Sequence, residues 1–203
     1  MTEILGIVAE AFDLPILDWI QANLQCAFLD WLMPVITLFG DGGIFWIACA
    51  LAMMCIPKYR KTGFSMGAAL LMGVVICNMI MKPLIGRIRP YDYQITYLHR
   101  TWEDLLVSGK LLVSTPSDFS FPSGHTIASF EACTAILIRN RKLGIPAVIL
   151  AILIAFSRLY LYVHYPTDVL VSLVLGIAFG ILGSWLANLV MAKLEAKKTK
   201  PAA

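Results

Sequence analysis

His164 and Asp168 stand four residues apart in the segment SRLYLYVHYPTD, residues 157–168, where Arg158 is the only other charge. A carboxylate that holds one imidazole nitrogen fixes the tautomer and frees the other nitrogen to attack an electrophile or move a proton. His125 closes the segment PSGH, residues 122–125, just ahead of an apolar run. Ser123 suits a helix N-cap, where backbone N–H groups lack intrahelical partners and, with the helix dipole, form an anion site. Gly124 would let an anion approach closely. Lys82 and Arg89 bracket KPLIGRIRP, residues 82–90. Each cluster has a plainer account: cations snorkelling to headgroups, an N-cap beside an incidental histidine, a histidine simply bonded to an aspartate. Taken together, Lys82, Arg89 and Arg158 supply positive charge, residues 123–125 supply donors, and two histidines supply a nucleophile and an acid. That inventory suits a phosphoryl group, whose transfer is catalysed by positioning and charge stabilisation.

The elements that must position these groups are membrane helices. The chain has 203 residues, of which 59% are hydrophobic and 14% charged, against about a quarter charged in ordinary globular domains; its mean hydropathy is +0.78. The reading is all-α: one integral domain of six transmembrane helices with an N-terminal amphipathic interfacial helix. Apolar stretches fall at 24–40, 43–57, 63–82, 124–138, 143–163 and 168–191. FGDGG at 39–43 reads as a turn between the first two; a mid-helix irregularity there would instead merge them. Residues 1–22 alternate Ile4, Leu5, Ile7, Val8, Phe12 and Leu17 with Glu3, Glu10, Asp13 and Asp18, the pattern of a helix lying on the membrane surface, with no chemistry expected of it. Residues 24–191 form the six-helix core and 192–203 a basic tail.

Basic clusters at 58–61, 139–142 and 193–200 fall on one side of a six-span arrangement, which by the positive-inside rule is the cytoplasm, with both termini there. All three catalytic clusters fall on the opposite face, within the segments 83–123 and 158–168. Arg87, Arg100 and Lys110 lie on that face too, against the orientation rule, and call for local partners. The five cysteines show no C-x-x-C pair and read as small core residues. The amino terminus has neither the basic region nor the cleavage site of a signal peptide. No carboxylate or His/Cys cluster suggests a metal site. His99 is expected on a surface loop. Glu131, inside an apolar stretch, has no assigned partner.

On these residues the sequence resembles the type-2 phosphatidic acid phosphatase superfamily, whose three-part signature is K-x6-R-P, P-S-G-H and S-R-x5-H-x3-D. Every fixed position is matched: Lys82, Arg89 and Pro90; Pro122 to His125; Ser157, Arg158, His164 and Asp168. The resemblance implies that His164 attacks phosphorus to give a phosphohistidine, that Asp168 orients it, and that His125 protonates the leaving oxygen. It further implies that Lys82, Arg89, Ser123, Gly124 and Arg158 bind the phosphate oxygens, with neither metal nor cofactor, and that Arg87, outside the signature, is an accessory contact. An active face outside the cytoplasm, flanked by apolar helices, favours a lipid phosphate drawn from the bilayer of the cell membrane, with no role for nucleic acid. By resemblance undecaprenyl diphosphate is the favoured substrate, with phosphatidylglycerophosphate or phosphatidic acid as the alternative. A non-catalytic lipid-phosphate binder or transporter is the reading from another class; retention of both histidines and Asp168 argues against it.

Overall fold

The computed structural model describes residues 2–106 and 111–198; Lys110 and the last five residues of the basic tail lie outside them. All the regular structure among the described residues is helical. The N-terminal segment is helix α1 (Thr2–Val8), a π-helical turn (Ala9–Asp13) and α2 (Leu14–Leu24). There follow α3 (Ala27–Leu38), α4 (Ile44–Cys55), α5 (Arg60–Met72), a π-helical stretch (Gly73–Met81) and α6 (Lys82–Ile85). Short helices α7 (Pro90–Tyr97) and α8 (Trp102–Leu105) precede α9 (Gly124–Arg139), α10 (Arg141–Tyr160) and α11 (Pro166–Lys198).

Four helical stretches among the described residues are long and apolar enough to cross a membrane: Ala27–Cys55, Arg60–Tyr97, Arg141–Tyr160 and Pro166–Leu194. Helix α9, 16 residues and so about 24 Å long, packs along α5, α10 and α11 at the centre of the bundle. Its core face joins Phe130, Cys133 and Ile136 to Trp46, Met66 and Leu70. On α11, Gly176 and Gly180 face α9 so closely that an added Cβ would come within 2.9 Å of the Ile127 and Glu131 carbonyl oxygens. Small residues four apart allow this backbone approach where lipid gives no hydrophobic drive for helices to associate.

The hydrogen bonds define two ends of the bundle. At one, Ser123 N–H donates to Ser172 near the start of α11. At the other, Arg139 donates to Ser65 and to Asn188, beside the basic residues 58–61, 139–142 and 193. The three basic clusters expected to share a face therefore share an end as far as they are described, and His125 and His164 lie at the opposite one.

Helix α3 does not traverse the bundle by itself, because both its ends lie near the histidine end. Cys26 N–H donates to the Tyr160 hydroxyl, which donates to Asp30, while Gly40, just past α3, abuts His125 and Ile154. The chain then turns through Gly42 and Gly43, both left-handed with φ of 57° and 67°, a conformation that glycine adopts without Cβ strain. Helix α4 runs on to the other end, so residues 27–55 make one of the four stretches long enough to cross a membrane among the described residues, where six transmembrane helices were expected. Residues 2–24 pack on the histidine end, through Gln21 on the Tyr160 carbonyl and Glu10 on Tyr93, and α11 runs from that end to the other.

In the N-terminal segment Ala9, Leu14, Leu17 and Ile20 are buried in a protein core with Tyr91, Leu105, residues 160–163 and Tyr165, while Ile4, Ile7, Phe12 and Trp19 are exposed. In a background with the native cysteines replaced, Glu10→Cys and Lys193→Cys should react with a membrane-impermeant thiol reagent from opposite sides of sealed vesicles. Labelling of both from one side would refute the placement of these residues at opposite ends of the bundle.

Candidate active site

The nucleophile candidate is held by a chain reversal between α10 and α11. The Arg158 carbonyl accepts from the N–H groups of Val163 and His164 at 3.2 and 3.4 Å. Tyr162 adopts φ 59°, an uncommon left-handed conformation for a bulky residue. Its buried hydroxyl donates to Asp18 at 2.6 Å and also meets the Gln94 amide, which fixes it. Pro166 opens α11, where its missing N–H costs nothing. Asp168 falls three residues beyond the N-cap and its Oδ2 accepts from Tyr165 N–H at 3.1 Å, the backward half of a capping box.

His164 is 2% exposed and Asp168 fully buried. The imidazole Nδ1 lies 3.5 Å from Asp168 Oδ2 and 3.4 Å from Ser120 Oγ, which also donates to that oxygen. The other ring nitrogen, Nε2, lies 3.3 Å from Arg89 Nη1. One nitrogen is therefore held by the carboxylate side and the other faces the cations.

Arg89 is positioned by two local signals. Gly86, at φ 61°, ends α6 in the left-handed conformation, and Pro90 starts α7. Between them the chain is extended and turns Arg87 and Arg89 inward, both buried. Arg89 Nη1 donates to the Val163 carbonyl at 2.6 Å, and its Nε to the Asp118 carbonyl. Arg158 is buried and donates to Thr37 Oγ1 of α3 at 2.5 Å. Lys82 and Arg89 both grip the Asp118 carboxylate. Burial raises that carboxyl, but hydrogen bonds and charge from Lys82 and Arg89 outweigh it and hold it at about 2. A carboxylate thus sits where two cations could bind phosphoryl oxygens.

His125 stands in the first turn of α9, with Nε2 2.6 Å from Asp41 Oδ1. Asp41 belongs to the glycine turn after α3. Lys82, Arg89, Arg158, Gly124, His125 and His164 all line one cleft of about 650 Å3, with Asp41 and Asp118 at its wall. Of the eight expected site residues, six converge there and Asp168 lies directly behind His164. Ser123 does not reach the cleft: it is fully buried, its N–H donates to Ser172 and its hydroxyl accepts from Thr126. Asp41, Ser120, Asp118 and Thr37 were missed, being ordinary polar residues whose roles depend on distant chain segments. His99 is exposed, as expected.

Comparison with known proteins agrees with this geometry. Residues 62–191 match the model of the PAP2 superfamily. An undecaprenyl-diphosphatase of Sulfolobus acidocaldarius is 29% identical over 180 residues, covering 88% of this chain and 76% of that one. The undecaprenyl-diphosphatase BcrC of Bacillus subtilis is 48% identical over 71 residues, 35% of this chain and 37% of that one. Among solved structures, the transmembrane PAP2-type phosphatidylglycerolphosphate phosphatase of Bacillus subtilis superposes with a TM-score of 0.66 at 22% identity, covering 97% of this chain and 90% of that one. The chain belongs to the PAP2 superfamily. It is a membrane phosphatase, and the phosphohistidine route is general to that family.

Burial, then the charges of Arg89, Arg158 and Lys82, push His164 well below the ordinary imidazole range. It is therefore neutral, as an attacking imidazole must be, and loses that form only when the pH falls through its depressed pKa. The acid limb of kcat/KM, which reports the free enzyme, should accordingly lie well below about 6.5; a His164-dependent limb at or above that value would contradict the site. A second expectation concerns the Asp41 contact. Asp41→Asn should slow hydrolysis of an alkyl phosphate ester about 100-fold, the lower range for general acid catalysis, and slow p-nitrophenyl phosphate far less, because that leaving group needs no proton. Equal losses on both would remove Asp41 from the acid's control.

Proposed function

We propose that this protein hydrolyses a lipid diphosphate, with undecaprenyl diphosphate the favoured substrate, on the extracytoplasmic face of the cell membrane. The observation that carries the reading is the placement of His164 Nε2 against Arg89 in a cleft that also holds Lys82, Arg158 and His125. Oxygens of the terminal phosphoryl group replace Asp118 on Lys82 and Arg89 and gain Arg158 and the Gly124 amide. His164 Nε2 attacks phosphorus, Asp168 holds the developing imidazolium through Nδ1, and the bond to the leaving oxygen breaks. His125, steadied by Asp41, gives that oxygen its proton. Water then attacks the phosphohistidine, with His125 taking the proton back, and orthophosphate leaves.

Several features support a lipid. Val35, Leu38, Leu112 and Val113 line the same cleft as the cations, and an apolar wall beside a charged floor suits a headgroup with its tail. Two relatives carry the name undecaprenyl-diphosphatase. Lys58, Arg60, Lys61, Arg139, Arg141, Lys142 and Lys193 gather at the end away from the site, and the positive-inside rule puts that end in the cytoplasm. On this topology the site and the N-terminal helices are extracytoplasmic and the C-terminal helix ends inside.

The test is phosphate release by the purified protein from undecaprenyl diphosphate, phosphatidylglycerophosphate and phosphatidic acid, with and without EDTA. Turnover should survive chelation and be fastest on the diphosphate. His164→Ala should abolish covalent phosphoenzyme, whereas His125→Ala should still trap one from an activated ester. Metal-dependent release, or full activity in His164→Ala, would overturn the mechanism; faster turnover of phosphatidylglycerophosphate would overturn the substrate.

A further inference from the structure

Behind His164 lies a chain of buried charges that the reaction scheme above does not use. Arg87 is sandwiched between two carboxylates: Nη1 lies 2.5 Å from Asp168 Oδ1 and Nη2 2.6 Å from Asp13 Oδ2. Its side chain is 4% exposed and both aspartates are 0% exposed. Arg87 also donates to Thr167 Oγ1 at 2.7 Å, and its guanidinium lies 3.7 Å from the centre of the Tyr165 ring. Asp13 reaches the same turn directly, accepting from Thr167 N–H at 2.9 Å and Thr167 Oγ1 at 2.8 Å. Asp13 belongs to the N-terminal helical segment, outside residues 62–191 that match the family, and neither it nor Arg87 is in the three-part signature.

We propose that Asp13 and Arg87 are positioning residues for the nucleophile, acting through Asp168. The inference rests on the reading of His164 as the attacking group. Asp168 divides its two oxygens: Oδ1 is taken by Arg87, which leaves Oδ2 to face Ser120, Tyr165 N–H and His164 Nδ1. Arg87 by itself would fix that carboxylate but also neutralise it. A neutralised pair is a poor partner for the positive charge that grows on the imidazole as Nε2 bonds to phosphorus. Asp13 supplies a second negative charge, so the Asp13, Arg87, Asp168 chain carries a net charge of −1 beside the ring while the guanidinium bridges the two carboxylates, one nitrogen to each. Burying such a group without partners would be costly; here every guanidinium contact is made by a group that also grips the nucleophile's turn. The N-terminal helices are thereby part of the working site, contrary to the expectation that they carry no chemistry.

The experiment is single-turnover phosphorylation of the full-length protein by an activated phosphate ester, with orthophosphate inhibition and thermal unfolding measured on each variant. Asp13→Asn should slow phosphoenzyme formation about 10- to 100-fold, the range of coupling between neighbouring charged groups, and leave orthophosphate affinity unchanged because Lys82, Arg89 and Arg158 are untouched. Asp13→Asn combined with Asp168→Asn should be no slower than Asp168→Asn alone. Should Asp13→Asn unfold, the pair Asp13→Leu with Arg87→Met removes one charge of each sign, leaves Asp168 held by Ser120 and Tyr165 N–H, and should slow phosphorylation through the lost anchoring of Oδ1 while orthophosphate affinity stays unchanged. A wild-type rate in the variant that folds, multiplicative losses in the double variant, or equal loss of rate and phosphate affinity overturns the proposal. A phosphoenzyme that survives His164→Ala overturns the nucleophile assignment and this inference with it, whereas a wild-type rate in a folded Asp13 variant whose phosphate stays on His164 overturns this inference alone.

Discussion

Burying several cations at one end of an apolar bundle is the constraint on which the rest of this structure depends. Arg87, Arg89 and Arg158 are each at least nine-tenths buried, and an ion in a low-dielectric interior is stable only with partners that replace its water. The partners come from all parts of the chain: Asp13 from the first helices, Thr37 from α3, Asp118 from the loop before α9, and Asp168 from α11. Satisfying these charges fixes the fold at this end as firmly as the apolar packing of α5, α9, α10 and α11 fixes the middle.

The cations divide the labour. Arg87 has two carboxylates and faces away from the cleft, so its positive charge is spent on rigidity. Lys82 and Arg89 share the half-exposed carboxylate of Asp118, Arg158 donates to the Thr37 hydroxyl, and Arg89 otherwise contacts backbone carbonyls and the His164 ring. The cleft is therefore left with surplus positive charge, which attracts a phosphoryl group and, after burial, adds to what pushes His164 below the ordinary imidazole range. The same electrostatic imbalance that makes the site costly to fold makes it suited to a dianion.

Helices α3 and α4 show how the membrane frame serves the site. A continuous 29-residue helix could cross a bilayer unaided. The paired left-handed glycines at 42 and 43 instead break it at the depth of His125, where Asp41 can meet the imidazole. The break lets the same stretch form a wall of the cleft and hold His125 through Asp41.

Local signals made much of this legible from sequence. Pro90 after Arg89 and Pro166 before Asp168 each encode a helix start by backbone sterics, and Ser123 stands at the N-cap of α9. The apolar runs located α4, α5, α9, α10 and α11 because a bilayer demands such runs. The signature residues were readable because they match, position for position, the three-part pattern of the family the sequence resembles. Hydropathy could not show that α3 begins and ends near the same end of the bundle, since its composition suits a span and only its contacts with Tyr160, Arg158 and His125 place it otherwise. Nor could the sequence pair Asp13 with Arg87, Asp41 with His125, or Ser120 with Asp168, or turn Ser123 away from the cleft. Chemical type and local conformation are written residue by residue, but neutralising a buried charge is a contest among every polar group the folded chain brings within about 3 Å, and that is decided only in three dimensions.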